Sequence, residues 1–235
     1  MTCEEIMQQL EAMGTESCKK IFLNHGAKEP LFGVKVGDLK TIQKKIKKNH
    51  ALSLELYRTG NSDAQYLAGL IADEKKISKE ELQEWANNAS SNIQSEYTVA
   101  WIAAESAFGN ALSLEWIDAK EPQVQVSGWS TLSNLVGIKK DEELDLAHLQ
   151  QLLQRVTSTI HTAPNRVRYA MNNYVLAIGC HVKSLTAQAI EAGKVIGQVM
   201  VDMGGTACKV PYAPEYIERA AAKGKIGNKK KMARC

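Results

Sequence analysis

The sequence contains few residues that interrupt helices or favour strands. Its 235 residues include five prolines, and stretches in which Val, Ile or Thr alternate with polar residues are scarce. Because a proline inside a helix removes a hydrogen bond and clashes with the preceding turn, this scarcity favours helical structure. With 44% hydrophobic and 23% charged residues, the composition is typical of a globular protein that can bury a sizeable core.

The sequence also lacks the marks of secreted, membrane-spanning and zinc-binding proteins. Its five cysteines form no C-x-x-C pair and no cluster with histidine, which predicts reduced thiols and no metal site. The start, MTCEEIMQQLEAM, carries acidic residues where a signal peptide has a basic flank, and no apolar run approaches about 18 residues. We therefore expect a cytoplasmic protein with no membrane partner, which is nucleoid-associated if it binds DNA.

The usual catalytic motifs are missing as well. There is no G-x-S-x-G, H-E-x-x-H, Walker A or glycine-rich dinucleotide loop, and the five histidines are scattered. The segment MGGTACK lacks the spacing of a phosphate loop, and we interpret it as a tight turn that exposes Lys209. These absences predict that the protein uses no cofactor.

What is present is helical periodicity. Thr2 and Glu5 form a capping-box pattern ahead of apolar residues spaced by four and three, and Ser78 and Glu81 form a second one. The leucine pattern that follows the acidic residues near position 141 predicts a long amphipathic helix from Asp141 to about Ile160.

One pentapeptide, ALSLE, occurs at residues 51–55 and again at residues 111–115. After each copy come a turn and a second helical pattern, in which Gly69 aligns with Gly128. A third pair repeats the pattern loosely from Leu149 to Leu176. Because stacked two-helix repeats bury a shared core, and small residues let their helices approach closely, the pattern predicts an all-α solenoid of helix pairs. We predict a single domain over residues 1–235.

Positive charge is concentrated in two segments. Residues 35–48 hold six lysines against one aspartate, and the basic C-terminal segment, residues 209–235, holds eight Lys or Arg against two Glu. A basic concave face suits a DNA backbone, whereas lysines on an amphipathic helix are often only its solvated side. The charge pattern alone therefore leaves open a DNA-binding protein and a scaffold that binds other proteins.

Three segments carry a family likeness: LFGVKVGDLKTIQKKI, ALSLELYRTGNSDAQYLAGLIAD and RVRYAMNNYVLAIG. They resemble the AlkD-like DNA alkylation repair family, over roughly residues 1–196, and the Phe-Gly-Val-Lys loop and the Thr-Gly-Asn-x-Asp-Ala segment are the most specific parts. The resemblance implies a solenoid of HEAT-like helix pairs. It also implies an alkylpurine DNA glycosylase, which hydrolyses the N-glycosidic bond of cationic alkylated purines.

The resemblance further implies where a catalytic site would lie. Active members carry a Trp, an Asp one helical turn later, an Arg and a second Trp, and these positions align with Asn92, Glu96, Val126 and Asn173. Glu96 preserves the charge, but the other three do not preserve the chemistry. Catalytic candidates are thus Glu96, Asn92 and Asn173. We expect Trp101 and Trp129 to pack in the core, which leaves Tyr97, Tyr169 and Tyr174 open as the source of an aromatic face.

These observations predict a protein that binds double-stranded DNA, either damaged or branched, with weak or lost glycosylase activity. The alternative is a non-catalytic scaffold that binds DNA structures or protein partners. The expected phosphate contacts are Lys35, Lys40, Lys44, Arg166, Arg168 and Lys209.

Overall fold

The computed structural model describes residues 1–234, and within them every regular element is helical. The α-helices are α1 (Cys3–Met13), α2 (Glu16–Asn24), α3 (Val36–Ile46), α4 (His50–Arg58), α5 (Ser62–Ile71), α6 (Lys79–Asn87), α7 (Ala100–Glu105), α8 (Gly109–Trp116), α9 (Pro122–Ile138), α10 (Leu146–Thr159), α11 (Asn165–His181), α12 (Thr186–Ile196) and α13 (Ala213–Ala222). A π-helical segment, Gln94–Val99, leads directly into α7, and short 3₁₀ turns occupy Asp141–Glu143, Ile160–Thr162 and Lys183–Leu185.

Both predicted capping boxes are present. The backbone N–H of Glu5 donates to Thr2 Oγ1 (3.2 Å) while the N–H of Thr2 donates to the Glu5 carboxylate (2.9 Å), and Ser78 with Glu81 repeats the arrangement at α6. Each box satisfies two backbone N–H groups that the first helical turn leaves unpaired.

The predicted start of the long amphipathic helix is wrong. Asp141–Glu143 form a 3₁₀ turn, and α10 begins at Leu146 because Asp145 accepts a hydrogen bond from the N–H of His148 (3.0 Å). An Asp at the N-cap fixes the helix start more strongly than a run of acidic residues, which only complements the helix dipole.

The two ALSLE copies lie in α4 and α8, the outer helices of two pairs, and they make equivalent contacts. Ser53 Oγ donates to the carbonyl of His50 (2.6 Å), and Ser113 Oγ donates to the carbonyl of Asn110 (2.9 Å). Each outer helix packs on the inner helix that follows it, as do α10 and α11, and α9 packs on both α7 and α11. The prediction of an all-α solenoid of helix pairs is confirmed.

The aligned glycines both mark close approaches, but to different neighbours. A Cβ at Gly69 would lie 2.7 Å from Thr98 Cγ2, on the next inner element. A Cβ at Gly128 would lie 2.8 Å from the backbone nitrogen of Ile117, at the end of its own partner helix α8. The same residue type therefore brings inner helices together at one repeat and closes the helix pair at the other.

The hydrophobic core has two clusters of buried side chains. One cluster is built mainly from α1 and α3–α8, and the other mainly from α10–α13. Helix α9 joins them, since Val124 and Leu135 belong to the first cluster while Trp129 and Leu132 belong to the second. This shared helix is consistent with a single domain, which stays a prediction.

The loop before α3 is fixed by one buried carboxylate. Asp63, at the start of α5, accepts hydrogen bonds from the backbone N–H groups of Phe32 (2.6 Å), Gly33 (3.0 Å) and Val34 (2.9 Å). The two sequence segments that are most specific for the family likeness are thus bonded to each other.

Two irregular segments connect elements that are distant in sequence. The bridging segment, residues 197–212, contacts both α11 and α2: Asp202 bonds with Asn165 of α11, and a Cβ at Gly204 would collide with the carbonyl oxygen of Asn24 in α2. The C-terminal strap, residues 225–234, crosses the C-terminal ends of the inner helices, and its last described residue, Arg234, contacts Glu74 and Glu105.

Candidate nucleic-acid interface

A cavity of about 540 Å³ lies on the side of the stack formed by the inner helices. The π-helical segment and α7 supply Glu96, Tyr97 and Trp101, and α11 supplies Asn173. The strap forms the opposite wall with its basic residues, of which Lys225, Lys229 and Lys230 border the cavity. Because the inner helices of a solenoid line its concave side, the cavity is part of the concave face.

Glu96 is held by Arg166 in a two-point ion pair. The guanidinium donates from Nε to Glu96 Oε1 and from Nη2 to Oε2 (2.9 Å), so both carboxylate oxygens are engaged. The Glu96 side chain is 6% exposed and that of Arg166 is 21% exposed. Such a fork-to-carboxylate geometry fixes both side chains and joins the π-helical segment to α11.

Burial and the guanidinium act on the Glu96 carboxyl in opposite directions. Burial raises the pKa of the Glu96 carboxyl, and the Arg166 guanidinium opposes this rise by its hydrogen bonds and its charge. Arg166 also lies over the ring of Tyr169, with its central carbon 4.2 Å from the ring centroid. Removing one member of a buried pair costs about 3–5 kcal/mol, because the other charge is left uncompensated.

Aromatic side chains surround the carboxylate. Tyr97 is 41% exposed and packs on Trp101, with ring centroids 5.4 Å apart, while Tyr66 meets the same Trp edge-on at 5.7 Å. Trp101 and Trp129 are both buried, as expected, although an edge of Trp101 also lines the cavity. Sequence reasoning did not single out Tyr97 from Tyr169 and Tyr174 as the exposed aromatic face, because helical periodicity cannot be followed through a π-helical turn that adds a residue.

The structure brings only some of the catalytic candidates together. Glu96 and Asn173 line the same cavity. Asn92 does not line this cavity. It lies beside Gly26, and its amide nitrogen would be 3.5 Å from a Cβ added to that glycine. Val126 is 1% exposed and packs in the core around α9, so no side chain at this position reaches the cavity.

The expected phosphate contacts differ in how accessible they are. Lys35 and Lys44 at α3 and Lys209 on the bridging segment are exposed, while Lys40 is half-buried. Arg168 is also half-buried, and its Nε is buried without a hydrogen-bond partner within residues 1–234. Arg166 already uses its guanidinium to hold Glu96. Whether these residues contact DNA stays a prediction.

Two further properties bear on the site. None of the helices formed by residues 1–234 combines the length and apolar character needed to cross a bilayer. Within the same residues, His, Cys, Asp and Glu side chains form no group of three or more that could hold a metal ion.

The fold and the cavity together define a helical-repeat protein with lysines around a concave-side cavity. A family model described as DNA alkylation repair enzyme matches residues 6–217. Two uncharacterized proteins match over 94% of this chain and 97% of their own length: Lin0241 of Listeria innocua, 34% identical, and Lmo0209 of Listeria monocytogenes, 35% identical. The chain belongs to the DNA alkylation repair enzyme family, which confirms the family predicted from the sequence.

A solved structure supports the same assignment. It is 37% identical, covers all of both chains and superposes with a TM-score of 0.92. That protein is described as one of a new family of proteins related to the HEAT-like repeat DNA glycosylases, with affinity for branched DNA structures. The fold of this chain is therefore that of the HEAT-like repeat proteins, as the resemblance implied.

Proposed function

We propose that this protein binds DNA through its concave face and that its ability to excise alkylated purines is weak or lost. The observation that carries the proposal is the ion pair between Glu96 and Arg166. It neutralises the one carboxylate that a glycosylase mechanism would use, and it leaves the lysines around the cavity to set the charge of the face.

The ion pair weakens the case for catalysis. Hydrolysis of the glycosidic bond of a cationic purine builds positive charge on the sugar, which a carboxylate and aromatic faces can stabilise. Here both oxygens of Glu96 are bonded to a guanidinium, and asparagines stand at the positions of the two tryptophans of active members. Each missing group is worth ~2–4 kcal/mol by comparison with single oxyanion-hole deletions, or about two to three orders of magnitude in rate.

The charge distribution supports DNA as the partner. Exposed lysines lie on α3, on the bridging segment and on the strap, and Lys225 and Lys230 of the strap border the cavity. Phosphate contacts made by such lysines release counterions and give an affinity that falls steeply with salt. Since the solved relative is described as having affinity for branched DNA structures, three-way and four-way junctions belong among the substrates tested alongside linear duplex.

Binding and excision can be measured on the same preparation. Fluorescence anisotropy titrations at several salt concentrations, with linear duplex and with junctions, are expected to show binding whose log–log salt slope is near −0.9 for each phosphate contact. Duplex DNA carrying 7-methylguanine or 3-methyladenine is expected to release little or no base.

Glu96→Gln provides the decisive variant. It should abolish any residual base release, and the freed Arg166 should leave DNA affinity unchanged or slightly higher. Glu115→Gln is the matched control, because it removes a carboxylate from an exposed ion pair with Lys79 on the outer helices. Robust excision that is insensitive to Glu96→Gln would place the active site elsewhere. Absence of DNA binding at low salt would favour the scaffold, whose protein partners should survive nuclease and high salt.

A further inference from the structure

The C-terminal strap crosses four successive inner helices. The N–H of Gly227 donates to the carbonyl of Cys180 on α11 (2.8 Å), and the N–H of Lys230 donates to the carbonyl of Gly137 on α9 (2.8 Å). The N–H of Ala233 donates to the Glu105 carboxylate at the end of α7 (2.7 Å), and Arg234 donates to the carbonyl of Ala72 after α5 (3.0 Å). The strap therefore uses polar groups that the helix ends leave free.

Arg234 anchors this path between two carboxylates. Its Nε and Nη2 donate to Glu105 Oε2 (3.1 and 2.7 Å), and Nη2 also pairs with Glu74. The three side chains are 10%, 12% and 14% exposed for Arg234, Glu105 and Glu74, respectively. The guanidinium is thus enclosed by protein and occupied by acceptors, which leaves it unable to bind a ligand of its own.

Three consecutive lysines of the strap differ in their partners. Lys229 is bound within the fold, since its Nζ donates to the carbonyl of Val136 (2.8 Å) and pairs with Asp141 (2.8 Å). Lys230 and Lys231 are exposed, and neither ammonium forms an ion pair within residues 1–234.

Each of these lysines borders a different cavity. Lys230 borders the cavity of about 540 Å³ that contains Glu96. Lys231 borders a second cavity of about 740 Å³ on the other side of the strap, together with Lys47, Lys75 and Lys139. The ammonium groups of those three lysines likewise form no ion pair in the described part of the chain. The strap is therefore a ridge with a basic cleft on either side.

We propose that the C-terminal strap is a phosphate-binding ridge of the DNA interface and that Arg234 is the positioning residue that holds it across the inner helices. This inference rests on the proposed DNA binding and specifies the element that carries it. Lysines without acidic partners on both flanks of a ridge fit two stretches of sugar–phosphate backbone, one in each cleft. Ammonium groups bind such phosphates as point charges and need no particular base sequence.

The first test removes the ridge charges without touching the anchor. The double variant Lys230→Ala/Lys231→Ala should weaken binding to duplex and junction DNA and should reduce the magnitude of the log–log salt slope by about 0.9–1.8, since each lost phosphate contact contributes about 0.9. The control, Lys79→Ala/Lys120→Ala, removes two lysines that border neither cavity: Lys79 pairs with Glu115 at the start of α6, and Lys120 lies between α8 and α9. It should leave the slope unchanged.

The second test separates positioning from stability. Arg234→Gln/Glu105→Gln removes the anchor together with one carboxylate, so that one charge of each sign is lost. It should reduce the salt slope as much as the lysine variant does, although Arg234 itself is enclosed by protein. Adding Lys230→Ala/Lys231→Ala to it should bring little further loss, because residues that act as a unit are not additive.

The outcomes divide clearly. If the wild-type protein binds no DNA at low salt, both the proposed function and the ridge are overturned. If it binds and the lysine variant keeps the wild-type slope, the ridge is overturned while the proposed function stands. If the anchor variant lowers the melting temperature but keeps the slope, Arg234 has no positioning role. Should the anchor variant fail to fold, the lysine variant still decides about the ridge.

Discussion

At the scale of single residues, Asp63 shows how one side chain can fix a loop that precedes a basic helix. Its carboxylate is 3% exposed and accepts hydrogen bonds from three consecutive backbone N–H groups. The loop that it holds leads into Lys35 and α3. The position of Lys35 at the start of the basic segment 35–48 thus depends on the buried carboxylate of Asp63 in the next helix pair.

Asp63→Asn tests this dependence. An amide keeps one oxygen and turns an NH₂ group towards backbone donors, so at least one buried N–H loses its acceptor. We expect the free energy of unfolding to fall by about 2–4 kcal/mol, since a lost charge-assisted bond and an unsatisfied buried donor each cost about 1–3 kcal/mol. Urea denaturation followed by circular dichroism measures the change.

The control for Asp63 is Asp118→Asn. Asp118 pairs with Arg155 at the surface and its side chain is 65% exposed, so its loss should cost no more than about 1 kcal/mol. If both variants lowered the free energy of unfolding equally, the three hydrogen bonds to Asp63 would contribute no more than an exposed ion pair.

Residue-scale contacts were the part of the site that the sequence predicted least. Glu96 and Asn173 were placed by family resemblance and do share a cavity, but the partner of Glu96 was not foreseen. Arg166 is 70 residues away in sequence, and the clustering of basic residues and the family likeness predict it as a phosphate contact. A charge reveals nothing about its partner until the fold brings the two side chains together.

At the scale of elements, the aligned glycines give a graded test of helix packing. Overpacking of this kind costs about 1–3 kcal/mol. Gly128→Ala should lower the free energy of unfolding by an amount near the top of this range, because the added Cβ would collide with the backbone at the end of α8. Gly69→Ala should cost less, since the nearest atom is a Thr98 methyl group. Thermal melting of both variants measures the difference.

Gly37→Ala is the control for these two. Position 37 lies in the first turn of α3, and nothing is within 4 Å of the Cβ that would be added there. Alanine should therefore stabilise by about 0.4–1 kcal/mol, by restricting the unfolded chain. If all three variants lost the same stability, close packing would not be the reason for glycine at positions 69 and 128.

Elements with local signals were predicted well. The capping boxes and the repeated pentapeptide fix α1, α4, α6 and α8 through contacts only three or four residues apart. The π-helical segment was not predicted, because nothing in the run SEYTVAWIAAESAF distinguishes an i+5 hydrogen bond from an i+4 one. The residue that a π-helical turn adds changes the direction of the side chains that follow it, here Glu96 and Tyr97, and such turns are frequent at functional sites.

At the scale of the whole molecule, the strap couples the second helix pair to the last described residues, and this coupling depends on pH. Burial alone would raise the pKa of Glu74, but its hydrogen bonds with Lys48 and Arg234 lower that pKa to about 2. A carboxyl whose pKa is lowered in the folded state stabilises the fold above its unfolded pKa, near 4.5. That stabilisation is lost as pH falls towards 2.

Glu74→Gln should therefore lower the free energy of unfolding at pH 7 by about 1–3 kcal/mol, a range that allows for solvent screening of the full shift. The difference from wild type should shrink as the pH falls from about 4.5 towards 2, because protonation of Glu74 in the unfolded wild-type chain then favours unfolding. Urea denaturation at a series of pH values measures this. A difference that stayed constant down to pH 3 would contradict the assigned partners of Glu74.

The strap also has a consequence for the order in which the protein is made. Arg234 is synthesised 160 residues after Glu74, which at about 5–20 residues per second is an interval of about 8–32 s on the ribosome. Until then Glu74 can pair with Lys48, but no guanidinium lies between Glu74 and Glu105. The early helix pairs must therefore fold without the Arg234 ion pairs, which can form only after the strap has been made.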